Sequence, residues 1–191
     1  MKIAIVYFSG YGHTAKQAEA VHAGAASTAA KATLYRVDEH GDLPEASWAE
    51  ISASDAIIYG SPTYMGGPAW QFKKFADASS KLWYGQAWKN KVAAGFTNSA
   101  SNNGDKGSTI SYFVTLAMQH GQIWVGPGVM PSNTKAHGPA DINWAGGYTG
   151  ALAISPSDAS ADEAPRAGDL ATAHALGVRV VEVAAKMAHR H

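Results

Sequence analysis

An apolar run, Ile3-Ala4-Ile5-Val6-Tyr7-Phe8, passes directly into Ser9-Gly10-Tyr11-Gly12-His13-Thr14 and then into an alanine-rich stretch over 15–26. Strand, tight glycine loop and helix in that order restrict the chain more than any other feature. The first turn of a helix carries free backbone N–H groups, and its dipole favours negative charge. Gly10 and Gly12 let the backbone come close to an anion and take unusual dihedrals. Ser9, Thr14 and His13 add side-chain donors. The stretch therefore reads as a phosphate cradle built without a cationic side chain. Two blander readings stand beside it. Many parallel sheets place a glycine loop after their first strand, and Thr14 with Gln17 has capping-box spacing. Neither a Gly-Lys-Ser/Thr triplet nor a third glycine follows, so the loop is neither a Walker A nor a dinucleotide fingerprint.

Further along, apolar strand-like runs alternate with helical periodicity. Residues 32–37, 56–60, 91–96 and 122–125 read as strands, the third-strand run Ala56-Ile57-Ile58-Tyr59-Gly60 being continuous enough for a strand buried on both faces. Between them fall a short helix near 48–52, a helix carrying Phe72, Phe75 and Ala76, and a helix over 109–120 with Ile110, Phe113, Val114 and Ala117 on one side. Pro68 suits the first turn of the second of these. Residues 126–150 form a long glycine-rich segment, which in a compact domain is usually functional or disordered. Residues 151–154 read as a strand that completes or extends the fifth. Ser160 and Glu163 have capping-box spacing and open a last helix. The tail His189-Arg190-His191 is a weak metal signal and is discounted.

This alternation predicts an α/β fold: a doubly wound five-stranded parallel sheet of order 2-1-3-4-5 with helices on both faces, in one domain over 1–191. Polar loops follow the first, third and fourth strands, at 9–14, 61–68 and 97–107. That strand order sets them side by side at one crevice.

Composition excludes several classes. Lys+Arg and Asp+Glu are both 15, for a formal net charge of zero. A basic surface for nucleic acid or an acidic membrane is therefore not expected. With no cysteine, disulfides, thiol catalysis and thiolate metal sites are excluded, and no metal site is expected. The N-terminus enters a strand after one lysine, without signal-peptide character. No run approaches membrane-span length. A cytoplasmic protein is the expectation.

At this point the chain resembles the flavodoxin-like superfamily, and within it the WrbA-type NAD(P)H:quinone oxidoreductases. The matching pieces are Ser9 to Thr14, Gly60-Ser61-Pro62-Thr63-Tyr64-Met65-Gly66, Leu82-Trp83, Lys91-Val92-Ala93-Ala94-Gly95-Phe96-Thr97, Thr109-Ile110-Ser111, and Leu116-Ala117 leading to His120-Gly121. Each motif is weak; their order and spacing together are specific.

The resemblance implies FMN, with NADH or NADPH as electron donor and a quinone or other flat molecule as acceptor. By position, Ser9, Gly10, Tyr11, Gly12, His13 and Thr14 would hold the phosphate. Pro62, Thr63, Tyr64, Met65 and Gly66 would border the flavin ring. Ser99, Ala100, Ser101, Asn102, Asn103 and Gly104 would contact it from the third loop. His120 would reach its pyrimidine side and stabilise negative charge on the reduced ring as the one catalytic residue. Tyr11, Tyr64 and Trp83 would meet the donor or acceptor. The resemblance also implies a homo-oligomer, a tetramer or dimer; Trp70, Trp88 and Trp144 read as subunit contacts. The chain departs from the family at three places. An arginine usually stands at Tyr64, Asn102-Asn103 replace glycines in a third loop one residue longer, and Gly146-Gly147-Tyr148-Thr149-Gly150 only loosely echoes a Pro-Tyr-Gly segment.

The activity so implied is hydride transfer from the nicotinamide to FMN, then two-electron reduction of a quinone. Two readings from other classes stay open: a flavodoxin-type one-electron carrier, and a non-catalytic flavin-binding sensor or scaffold. Carriers of that type are typically acidic, and a net charge of zero argues against one.

Overall fold

The computed structural model describes residues 1–188. The elements run β1 (Lys2–Tyr7), α1 (His13–Ala26), β2 (Lys31–Arg36), α2 (Glu45–Ser52), β3 (Ala56–Tyr64), β4 (Gly67–Pro68), α3 (Trp70–Ala78), α4 (Ser80–Tyr84), β5 (Val92–Ser99), α5 (Lys106–Gln119), β6 (Ile123–Trp124), β7 (Ala151–Ile154) and α6 (Ala167–Ala188). The main sheet orders them β2-β1-β3-β5-β6, every pair parallel. The expected doubly wound order is therefore present. β6 pairs with Val92 and Ala93, and β7 pairs with Phe96 through Ser99. The two short strands thus share the edge beside β5, the second extending the first as the sequence suggested. The glycine-rich 126–150 segment is the excursion between them. Asn143 holds that segment in shape. Its side chain donates to the Val129 carbonyl and accepts from the Gly147 amide, while its own amide donates to Thr172.

Each face of the sheet carries its own core. Ile3, Ile5, Ile58, Ala94 and Phe96 meet α1 and α6 on one side. Ala4, Val6, Ile57, Tyr59 and Ala93 meet α3 and α5 on the other, with an aromatic cluster of Phe72, Phe75, Trp88 and Phe113. Alternation puts successive strand residues on opposite faces, and because both faces are covered the strands read as unbroken apolar runs. Helices α1 and α6 pack backbone to backbone. A Cβ at Gly24 would lie 2.0 Å from the His174 carbonyl oxygen, and one at Gly177 would lie 2.1 Å from that of Val21. Only glycine permits that approach.

Several local expectations need correction. β3 runs on through Ser61 to Tyr64 and turns back at Met65-Gly66 to form a two-residue ladder with β4, so Pro68 lies in a strand, and α3 begins at Trp70. The turn requires positive φ at Met65 (48°) and Gly66 (78°), which matches a primed hairpin turn. β5 likewise continues to Ser99, because β7 supplies hydrogen bonds that a sequence scan cannot see. Ser160 makes only half a box with Glu163, its amide and hydroxyl both donating to the carboxylate, and this stabilises a turn; α6 starts only after Pro165, at Ala167. Thr14 and Gln17 form no capping box. Gln17 instead donates to the carbonyls of Thr97 and Ala151 beneath the first loop. Trp88 is fully buried between Phe75 and His120 and is a core residue, not a subunit contact. Residues 189–191, including the histidines of the tail, lie outside the described part. Among the described residues no group of three or more potential metal ligands occurs. No helix there is long and apolar enough to cross a membrane.

Candidate functional site

The loops after β1, β3 and β5 meet where parallel strands end, and a fourth loop, after β7, joins them. Together they enclose a crevice of about 410 Å³ lined by Tyr11, His13, Thr14, Pro62, Thr63, Tyr64, Asn98, Ser99, Ala100, Ser155 and Ser157. It is the position expected for a ligand in an open doubly wound sheet.

The first loop is held by its own polar atoms. Ser9 is 2% exposed, and its Oγ accepts from the amides of Gly12 (3.2 Å) and Ala15 (3.1 Å). Ser9 is thus the side chain that caps α1, although the helix starts four residues later. With Ala15 so engaged, the first-turn amides of His13 and Thr14 remain without an intrahelical acceptor and belong to the crevice side. Gly12 enters the helix at φ 92°, the left-handed region. Asn98 donates to Thr14 Oγ1 at 2.7 Å, which leaves the threonine proton for a ligand. Arg36, at the end of β2, donates to the Ser9 carbonyl at 3.2 Å. A cation therefore backs the cradle after all. Its signal was absent from the sequence because it comes from the neighbouring strand, not from the loop.

His13 lines the crevice, and its ring has a partner of its own. Its Nε2 lies 3.0 Å from the Ala159 carbonyl oxygen, which can only accept, so Nε2 carries a proton and ties α1 to the loop after β7. In the neutral ring Nδ1 then has a lone pair and is unsuited to an anion. The floor is rigid: Thr63 Oγ1 is 2.8 Å from both Thr97 Oγ1 and Thr109 Oγ1, all three buried. At the mouth, Tyr11 is 79% and Tyr64 39% exposed, and their rings meet edge to face with centroids 6.3 Å apart. Tyr64 also walls a second groove with Trp70 and Lys73. Burial, and secondarily Tyr11, raises the Tyr64 pKa, so its hydroxyl remains a donor at neutral pH.

Not every expected residue reaches the crevice. Met65 and Gly66 form the exposed hairpin tip, and Trp83 sits on α4; none of the three lines it. Gly10 stands under Tyr64, where a Cβ would come within 2.6 Å of the phenol oxygen. Ser101, Asn102, Asn103 and Gly104 form the outer part of the third loop behind Ser99 and Ala100. His120 is the clearest departure. It caps the far end of α5, a 14-residue helix about 21 Å long that starts at the third loop. There it is 1% exposed, stacked 4.3 Å from Trp88, with Nε2 2.9 Å from Ser79 Oγ. Burial pushes its pKa down to about 4, so it is neutral at physiological pH. Within one chain it cannot reach the crevice. Sequence reasoning missed Asn98, Ser155 and Ser157, which come from strand ends whose extent depends on β7.

Residues 1–136 match the model of a family described as NADPH-dependent FMN reductase. A protein of Pseudomonas aeruginosa (strain UCBPP-PA14) named flavodoxin FldP is 49% identical over 182 residues, covering 95% of this chain and 96% of its own length. A NAD(P)H dehydrogenase (quinone) of Geobacter sulfurreducens is 32% identical over 206 residues, covering 98% of this chain and 99% of its own. The crystal structure of the flavodoxin, WrbA-like protein from Agrobacterium tumefaciens is 47% identical, with a TM-score of 0.77, covering 97% of this chain and 98% of that one.

Proposed function

This chain belongs to the NADPH-dependent FMN reductase family, as a WrbA-type flavodoxin-like oxidoreductase that uses FMN and NAD(P)H, and on that premise we propose that it is an NAD(P)H:quinone oxidoreductase. One observation carries the reading: a cradle of helix-terminal amides and an open slot flanked by two tyrosines occupy the same crevice. The first suits a phosphate and the second suits flat rings that come and go.

The residues present fit FMN. Ser155 is 4% exposed, faces the crevice, and its Oγ has no hydrogen-bond partner. A buried hydroxyl in that condition is paired in the working protein. The helix-terminal amides and the free Thr14 proton offer donors only, as an anion requires. Bound FMN supplies hydride acceptance and two-electron reduction, and the protein supplies orientation and electrostatics. The amides of His13 and Thr14, with Thr14 Oγ1, bind the phosphate, and Arg36 supports their loop from behind. Thr63 in the floor, with Ser99 and Ser155, lines the rest of the crevice that FMN would occupy. Tyr11 and Tyr64 bracket the mouth, where an aromatic donor or acceptor stacks.

Ser155→Ala is expected to weaken FMN binding about three- to tenfold, the value of one neutral hydrogen bond. It removes no internal bond, so thermal unfolding of the apoprotein should be unchanged. Equal FMN affinity by fluorescence titration would remove Ser155 from the site.

Steady-state oxidation of NADH and NADPH by the FMN-loaded protein, with benzoquinone as acceptor, tests the activity. Turnover is expected. No turnover with either donor would favour the one-electron carrier, the reading that the 49%-identical flavodoxin FldP keeps alive. The donor KM is expected to be high, because Tyr64 offers a ring and one hydroxyl where an arginine would offer charge and a rigid fork. Tyr64→Arg should lower that KM about tenfold or more, the worth of a charged hydrogen bond, and leave kcat nearly unchanged. A KM that does not fall leaves Tyr64 with stacking alone.

A further inference from the structure

Lys106 is the first residue of α5 and stands directly behind the third loop. It is 1% exposed, the most buried cation of the described chain. Its Nζ donates to Ser99 Oγ at 2.8 Å, to the Ser101 carbonyl at 2.9 Å and to the Asn102 carbonyl at 2.9 Å. Three protons meet three neutral acceptors, so the ammonium is satisfied without a carboxylate in contact. Both general preferences run against a lysine here. Burial disfavours the charge, and a cation at a helix N-terminus opposes the macrodipole. A neutral donor would have fastened the same turn without either cost.

What the ammonium does to the loop follows from peptide geometry. In a trans peptide the N–H points away from the C=O. With the Ser101 and Asn102 carbonyls drawn toward Lys106, the amides of Asn102 and Asn103 turn outward, away from it. Neither amide donates to any acceptor among the described residues. Ser99 and Ala100 of the same loop line the crevice. A buried positive charge and a helix N-terminus therefore stand behind the Ser99–Ala100 wall of the site, while the two free amides lie on the outer part of the loop. The charge and the helix end both favour negative charge in front of them.

We propose that Lys106 is a positioning residue that raises the reduction potential of the bound flavin, by fixing Ser99 and the third loop at the crevice wall and by placing a buried positive charge behind it. The inference rests on the FMN reading given above. Burial lowers the Lys106 pKa and Asp169 opposes that effect. Asp169, on the first turn of α6, accepts from the Ile154 amide; burial raises its pKa to about 6, with Ile154, Lys106 and Arg166 acting against the rise. It is the anion that tempers the field of Lys106.

The experiment is potentiometry of FMN-loaded wild type, Lys106→Met, Lys106→Gln and Asp169→Asn at about pH 8, where a carboxyl with a pKa of about 6 is ionised. Lys106→Met should weaken reduced FMN about tenfold more than oxidised FMN, a midpoint about 30 mV more negative for a two-electron couple. Lys106→Gln keeps a donor but not the charge and should shift the same way. Asp169→Asn keeps the bond to Ile154, removes the opposing charge and should shift the midpoint upward. If Lys106→Met does not fold, the other two variants decide. Folded, FMN-replete Lys106 variants at the wild-type potential would overturn the proposal and leave a purely structural lysine. Wild type that binds no FMN would overturn the cofactor reading, and this inference with it, before any variant is compared.

Discussion

Gly12→Val should lower FMN affinity about a hundredfold or more. The residue sits at φ 92°, where a β-branched side chain is strained, and its Cβ would lie 2.8 Å from Ala161 Cβ. The loop must then shift away from the 155–162 segment, to which His13 and Lys16 also tie it, through the Ala159 carbonyl and Asp162. The amides of His13 and Thr14 move with it. Each charged hydrogen bond so lost is worth about 1.5–3 kcal/mol, and a strained backbone adds about 1–3 kcal/mol to the cost of the productive loop. Titration of apoprotein with FMN, followed by fluorescence, measures the effect, and far-UV circular dichroism checks the fold. Wild-type affinity in a folded Gly12→Val protein would place the phosphate somewhere other than this loop.

His120→Gln should change how stability depends on pH, and leave the flavin potential where it is. In the folded chain burial holds the His120 pKa at about 4, against an ordinary 6.5. Between those values the unfolded chain binds a proton that the folded chain refuses, so stability falls as pH drops from about 6.5 to 4. The full loss is about 3 kcal/mol. Glutamine can place its amide near the Nε2 position against Ser79 and does not titrate. Asp169 works in the opposite direction. Its pKa is raised to about 6 in the fold, so it adds stability as pH falls through that value. A wild-type acid profile mixes the two; subtracting the His120→Gln profile isolates the histidine. Chemical denaturation at several pH values reads it. A pH-independent difference between the two proteins would mean that His120 titrates normally and is not the desolvated group described here. A shifted flavin potential in the variant would bring His120 back to the site.

These two residues mark the limits of a linear reading. The strand, glycine turn and helix around Ser9 to Thr14 were legible because their backbone geometry is local, although Arg36 and Asn98 reach the loop from other strands. A strand, two glycines and a helix N-terminus leave first-turn backbone amides free wherever they occur together. The sheet order was legible for a related reason. Continuous apolar runs separated by helical periodicity admit few parallel arrangements, and the three polar loops had to fall at the same end of them.

What the sequence could not determine were pairings between distant segments. Whether 61–64 and 97–99 were loop or strand depended on β4 and β7, the latter pairing across 55 residues, Asn98 facing Ala153 and Phe96 facing Ala151. The fourth wall of the crevice, Ser155 and Ser157, follows from that pairing. So does the engagement of His13 with Ala159, 146 residues later. His120 occupied the right place in the order of motifs, but the length of α5 carries it to the far end of the domain, where Trp88 and Ser79 bury it. Lys106 fell inside the polar loop read at 97–107, ahead of the helix expected over 109–120, whereas α5 starts at it. Only the fold of the third loop turned its ammonium inward onto Ser99, Ser101 and Asn102. Local backbone chemistry is written in short runs of residues, whereas burial and the direction of a charge are set by what the rest of the chain packs against it.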